Sequence, residues 1–167
     1  TAVAMKKAGN RVLSIVGAKT QELLILEREM QATSDDLFVM TDDGSYGRKG
    51  FVTDAARDAL AGGGIGIVYA VGPVPMMRAV ANLTKSLGVR TIVSLNPVMI
   101  DGTGMCGGCR VSVGGETRFA CVDGPEFDGH GVNFDELLDR LSAYREYEQK
   151  SLACAENTCR LGQTLPS

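Results

Sequence analysis

Residues 101 to 121 read DGTGMCGGCRVSVGGETRFAC and hold three of the chain's five cysteines, Cys106, Cys109 and Cys121, with Asp101 ahead of them. The pattern is Asp101-x4-Cys106-x2-Cys109-x11-Cys121. Thiolates bind soft and borderline metals, and plant-type [2Fe–2S] proteins space three cysteines as C-x4-C-x2-C with a distant fourth. Here Asp101 stands where the first cysteine of that run would be, and a carboxylate can ligate iron. A structural zinc site is the alternative, although zinc usually takes paired knuckles of Cys or His. Neither Cys154 nor Cys159 makes such a knuckle, and free thiols describe those two better. Asp101 has a second reading as well, because Asp–Gly pairs are common turns. Spacing alone leaves it as either ligand or turn residue.

Other residues with chemical potential lie at the ends of apolar runs. Gly17 and Lys19 follow the run RVLSIVG, Asp42, Asp43 and Gly44 follow LFVMT, and Gly72, Pro73 and Met76 follow IGIVYAV. In an open α/β sheet, ligands bind at the carboxyl ends of strands. Lys19 could meet a phosphate, Asp42 or Asp43 a ribose hydroxyl, and the helix opening after Gly72-Pro73 offers free N–H groups. Ordinary βα turns use the same residue types, and no intact G-x-G-x-x-G is present. The three loops together point to a nucleotide site. His130, the one histidine, sits between glycines and reads as a surface residue rather than a catalytic one.

The elements that must carry these loops follow from the apolar pattern. Short runs at 11–17, 37–41, 65–71 and 90–95 alternate with amphipathic stretches, the signature of a parallel α/β sheet with the four strands side by side. Thr20 is expected to cap a helix with a stripe at Leu23, Leu24, Leu26 and Met30. Gly114-Gly115 is expected to turn a β-hairpin that returns Cys121 toward Cys106 and Cys109. Residues 123–131 read as irregular, and Asn133 as the cap of a helix bearing Phe134, Leu137, Leu138, Leu141 and Tyr144. The expected division is 1–97 for the nucleotide-type domain, 98–150 for the metal loop, hairpin and helix, and 151–167 for a flexible tail. Lys and Arg number 17 against 20 Asp and Glu, which argues against a nucleic-acid surface. No run approaches a membrane span. An odd cysteine count in an α/β chain favours a reducing, cytoplasmic setting.

Several segments carry a family resemblance: DDGSYGRKGFVTD, VGPVPMM, SLNPVMIDGTGMCGGCRV and FACVDGPEFDGH. They resemble the small subunit of NADH-dependent ferredoxin–NADP oxidoreductase, also known as the sulfide dehydrogenase beta subunit, over residues 1 to about 150. The resemblance implies a ferredoxin-reductase-type NAD(P)-binding sheet preceded by an FAD-binding barrel and followed by a short [2Fe–2S] loop. It implies Asp101, Cys106, Cys109 and Cys121 as the cluster ligands and Gly72-Pro73-x-x-Met76 as the nicotinamide-side motif, with Val71 replacing the family's usual cysteine. It further implies NAD(P)H and FAD as cofactors, and as partners ferredoxin and a large flavin and iron–sulfur subunit. The barrel, the first strand of the sheet and its glycine-rich loop have no counterpart here, so the sheet is expected to lack its central member. The electron-transfer subunit of dihydroorotate dehydrogenase is the neighbouring family. It normally uses four cysteines, and Asp101 argues for the first family over it.

Overall fold

In a computed structural model, which describes residues 1–157, the chain forms two compact units. The first comprises Thr1–Gly66 with Ser86–Val89, and the second Ile67–Lys85 with the described residues from Arg90 onward.

The first unit opens with α1 (Ala2–Lys7), stopped near Gly9, which takes a left-handed φ of +81°. Lys6 pairs with Asp35 and so ties this helix to a residue 29 positions further on. Strand β1 (Leu13–Ala18) pairs in parallel with β2 (Asp36–Thr41), Leu13 opposite Asp36 and Ala18 opposite Thr41. The two-residue β3 (Arg48–Lys49) extends the sheet beside β2. The crossover between β1 and β2 differs from the expected single helix. Thr20 opens a 3-10 turn (Gln21–Leu23) without a side-chain cap, and the chain runs extended at Leu24. It then passes through a left-handed Leu26 (φ 57°) before α2 (Glu27–Thr33) begins. Leu23 and Leu26, predicted as a helical stripe, are 59 % and 60 % exposed. Only Leu24 and Met30 of the stripe are half-buried, so the expected face is not buried as one and the helix starts late. Helix α3 (Val52–Ala61) begins where Asp54 accepts from the Phe51 amide at 3.0 Å, the carboxylate half of a capping box.

The second unit repeats the βαβ pattern. Strand β4 (Ile67–Val71) leads into α4 (Val74–Ser86) and returns as β5 (Arg90–Ser94), parallel to β4 from Ile67↔Arg90 to Val71↔Ser94. Helix α4 buries Val74, Met77, Val80, Ala81 and Thr84, the i, i+3, i+4 spacing of one helical face. Residues 123–131, expected as irregular, contain β8 (Glu126–Asp128), which pairs antiparallel with β5. Three residues are too few for a period-2 signal, and the strand exists because β5 offers it an edge. The hairpin is as predicted: β6 (Arg110–Val113) and β7 (Glu116–Phe119) join through Gly114 and Gly115, at φ of +62° and +82°. The second strand ends at Phe119, two residues short of Cys121. Asn133 caps α5 (Phe134–Ser142) by accepting from the Glu136 amide, and α6 (Arg145–Asn157) follows. The stretch expected as a tail is therefore helical to Asn157, and 158–167 lie outside the described residues.

Two expectations about organisation need correcting. The four principal strands do not share one sheet: the described strands form β1-β2-β3 and β4-β5-β8, plus the β6-β7 hairpin. The units also divide before β4 rather than at residue 97. The physical reason is the β5–β8 ladder and the shared core of Met77, Val80, Val93, Val111, Phe127 and Leu137, which bind α4 and β5 to the hairpin and α5.

Candidate iron–sulfur centre

The loop between β5 and β6 takes its shape from backbone that only glycine adopts at ease: Gly102, Gly104 and Gly107 have φ of +73°, +82° and +66°. Asp101 organises its first half. One carboxylate oxygen accepts from the Thr103 amide at 2.9 Å, and the other from the Cys106 amide at 3.1 Å. The Thr103 amide, followed by Cys106, holds this carboxyl below its ordinary value, so it is anionic at neutral pH. Both readings of Asp101 survive: it makes the turn, and each oxygen keeps a second lone pair for a metal.

The hairpin performs the predicted return. The Ala120 amide bonds to the Cys109 carbonyl at 3.1 Å, and the sulfurs of Cys109 and Cys121 lie 3.1 Å apart. Cys109 is buried, Cys121 half-buried and Cys106 exposed. Two amide N–H groups point at sulfur, Gly108 to Cys106 at 3.4 Å and Cys121 to Cys109 at 3.5 Å. The Cys121 amide draws the Cys109 thiol below its usual value, whereas the bond to Cys109 pushes Cys121 up.

Among the described residues, no three or more Cys, His, Asp or Glu converge as a single ion would need. The Asp101 carboxylate accepts from the Cys106 backbone amide, and Cys109 and Cys121 meet through their sulfurs. A mononuclear zinc site asks for four ligands around one centre, whereas a two-iron cluster takes two protein ligands at each iron. Three thiols and one carboxylate are donors that suit an iron–sulfur cluster.

The residues predicted for a nucleotide are distributed over both units. In the first, Gly17 lies within β1 and its glycine is required by packing: a Cβ there would stand 2.2 Å from Val52 Cγ1. Lys19 is exposed just past β1. Asp43 is engaged locally, accepting from the Ser45 amide at 2.9 Å and the Ser45 hydroxyl at 2.7 Å, and these bonds lower its pKa. Asp42 is exposed, and Gly44 turns the loop at φ +80°. In the second, Gly72 has φ +154°, and a Cβ there would meet Met76 Cε at 2.6 Å. Pro73 accepts from the Met77 amide at the start of α4. Met76 packs against the core, as a side chain at the helix start would.

Sequence reasoning missed two features of the second unit. His130 is half-buried, with Nε2 3.0 Å from the hydroxyl of the fully buried Thr84, which also accepts from Thr91. It completes a buried polar network rather than facing solvent. Arg110 and Arg140 reach the loop carbonyls of Gly107 and Gly108. Arginine beside a metal loop leaves no spacing signal, so only the fold exposes the pairing.

A βαβ unit is here joined to a hairpin and a thiol-rich glycine loop with donors suited to an iron–sulfur cluster. Comparison with known proteins narrows this. Residues 96–133 match the model of the iron–sulfur cluster-binding domain of dihydroorotate dehydrogenase B. The chain is 51 % identical over 150 residues to a Thermotoga maritima protein named as a homolog of the dihydroorotate dehydrogenase B (NAD(+)) electron transfer subunit, covering 90 % of this chain and 53 % of that protein. It is 36 % identical over 124 residues to the electron transfer subunit from Geobacillus sp., covering 72 % and 46 %. A chain from the solved structure of NADH-dependent reduced ferredoxin–NADP oxidoreductase matches with a TM-score of 0.80 at 50 % identity, over 91 % of this chain and 55 % of that one. The chain belongs to the ferredoxin-reductase-like family of electron-transfer subunits. It spans about half the length of the relatives it matches.

Proposed function

We propose that this chain is the cluster-bearing part of an electron-transfer subunit in a flavin-dependent oxidoreductase, relaying electrons between NAD(P)H, FAD and a [2Fe–2S] cluster toward ferredoxin or a larger flavin and iron–sulfur partner. The observation that carries the reading is the meeting of the Cys109 and Cys121 sulfurs, with the Asp101 carboxylate held on the Cys106 backbone amide, inside the segment that matches an iron–sulfur-binding domain. When bound, the cluster supplies one-electron transfer. Cys106, Cys109 and Cys121 would hold it as thiolates and Asp101 as a carboxylate. The Gly108 and Cys121 amides stabilise negative charge on two of the sulfurs. Gly72, Pro73 and Met76 of the second unit, at the start of α4, are the candidate contacts for the nicotinamide side of the nucleotide. FAD would be held chiefly by a domain other than these residues. Unpaired thiols this close suit a reducing, cytoplasmic setting.

Anaerobic reconstitution with iron and sulfide tests the assignment. The expected product is coloured, carries iron and acid-labile sulfide in equal amounts, and gives a [2Fe–2S] EPR signal after reduction. A colourless protein that retains zinc would refute it. A second reading, an electron-transfer subunit serving a dihydroorotate dehydrogenase, is favoured by the names of the matched family and relatives. Reduction of the cluster by dihydroorotate, in the presence of the partner that co-purifies with the subunit, would select that reading.

A further inference from the structure

Arg140 sits in the last turn of α5, on the wall of a cavity of about 280 Å³ that Pro97, Val98, Gly108, Arg110 and Tyr144 also line. Its Nη2 donates to the Gly108 carbonyl at 3.0 Å, within the two-residue link between Cys106 and Cys109. Its Nη1 is buried and has no hydrogen-bond partner. None of the ion pairs among the described residues includes Arg140. Arg140 is half-buried, and keeping its Nη1 from water without a partner is costly. Such a charge is retained most readily where a neighbouring centre is itself negative. A [2Fe–2S] centre with three thiolates and one carboxylate is such a centre. Its sulfides and protein ligands outweigh the charge on the irons, and reduction adds one further negative charge.

We propose that Arg140 is the positioning residue of the cluster loop, clamping the Gly108 carbonyl between two ligands and placing an uncompensated positive charge beside the cluster that favours its reduced form. The clamp and the charge are separable. The clamp limits the excursions of Cys106 and Cys109 and so slows loss of the cluster. The charge acts through a partly desolvated region, where Coulomb interactions are weakly screened. Arg110 grips the adjacent Gly107 carbonyl at 3.1 Å from the exposed side, so its charge is more strongly screened.

The inference rests on the cluster assignment above, and the test is made on the cluster-loaded, full-length protein with wild type, R140Q and R140K compared. Iron and sulfide content, the rate of cluster loss to a chelator and the midpoint potential are measured for each. R140Q is expected to lose its cluster about tenfold faster, as outer ligand supports typically do, and to show a more negative midpoint. R140K, which keeps the charge and loses the planar fork, should return the midpoint most of the way while cluster loss stays fast. Where R140Q does not accumulate as folded protein, R140K alone decides by its faster loss at a near-wild-type midpoint. A wild-type midpoint in a folded R140Q protein, or R140K indistinguishable from wild type in cluster loss, overturns the proposal. Wild-type protein without iron and sulfide would instead overturn the cluster assignment, and this inference with it.

Discussion

At the scale of single residues, Asp101 shapes the loop and is the proposed carboxylate ligand. Its oxygens accept from the Thr103 and Cys106 amides, which shape the loop, and the same carboxylate stands at the first ligand position of the motif. Asp101→Cys retains a donor and loses the harder oxygen, so the cluster is expected to assemble with a shifted midpoint, read by spectroelectrochemical titration. An unchanged midpoint would remove Asp101 from the ligand set. Asp101→Ala removes both amide acceptors as well, and iron content after reconstitution should fall with it. Cys109 and Cys121 differ from Cys106 in burial. In the cluster-free protein Cys106 should therefore react with an alkylating agent well before Cys109, as peptide mass mapping would show.

Elements bring these residues together, and their stability depends on a few contacts. Gly17 is fixed by Val52: a methyl group there would fall 2.2 Å from Cγ1 of a β-branched side chain on α3. Gly17→Ala is expected to destabilise the protein by about 1–3 kcal/mol in chemical denaturation, the usual cost of overpacking. The strand glycine is thus explained by helix–sheet packing, whatever binds at the strand end. In the second unit, Asn133 satisfies the Glu136 amide and starts α5, the helix that carries Arg140. Asn133→Ala should cost about 1 kcal/mol, again measured by denaturant midpoint. A variant with unaltered stability would show that the cap contributes nothing measurable.

For the whole molecule, pH is the informative variable. Asp35, Asp43, Asp54 and Asp101 are all held below the ordinary aspartate value of 3.8: Asp35 first by Lys6, Asp43 by the Ser45 amide, Asp54 by the Phe51 amide and Asp101 by the Thr103 amide. A carboxyl with a folded pKa below its unfolded one contributes stability that is fully present above the unfolded value. That contribution is lost as pH falls through the folded one. The denaturant midpoint should therefore be level from neutral pH to about 5 and decline below about 4. A midpoint that rises in acid would contradict these assignments. The carboxylates belong to both units, so the loss should be seen by probes in each.

The sequence by itself determined whatever depends on local chemistry and period. Gly114-Gly115 dictated a tight hairpin and Asn133 began a helix, because turn and cap preferences act over a few residues, and the C-x2-C spacing with Asp101 ahead marked the candidate donors. Alternating apolar runs likewise fixed the parallel βαβ pairs. The tertiary structure decided what depends on surface found far along the chain. Leu23 and Leu26 have helical spacing but stay exposed, so that helix shortened. The three residues of β8 became a strand because β5 presented an edge. His130 acquired Thr84 and Thr91 as neighbours, and Arg140 met the Gly108 carbonyl 32 positions away. No periodicity encodes such encounters, since they arise only when packing has placed separate elements side by side.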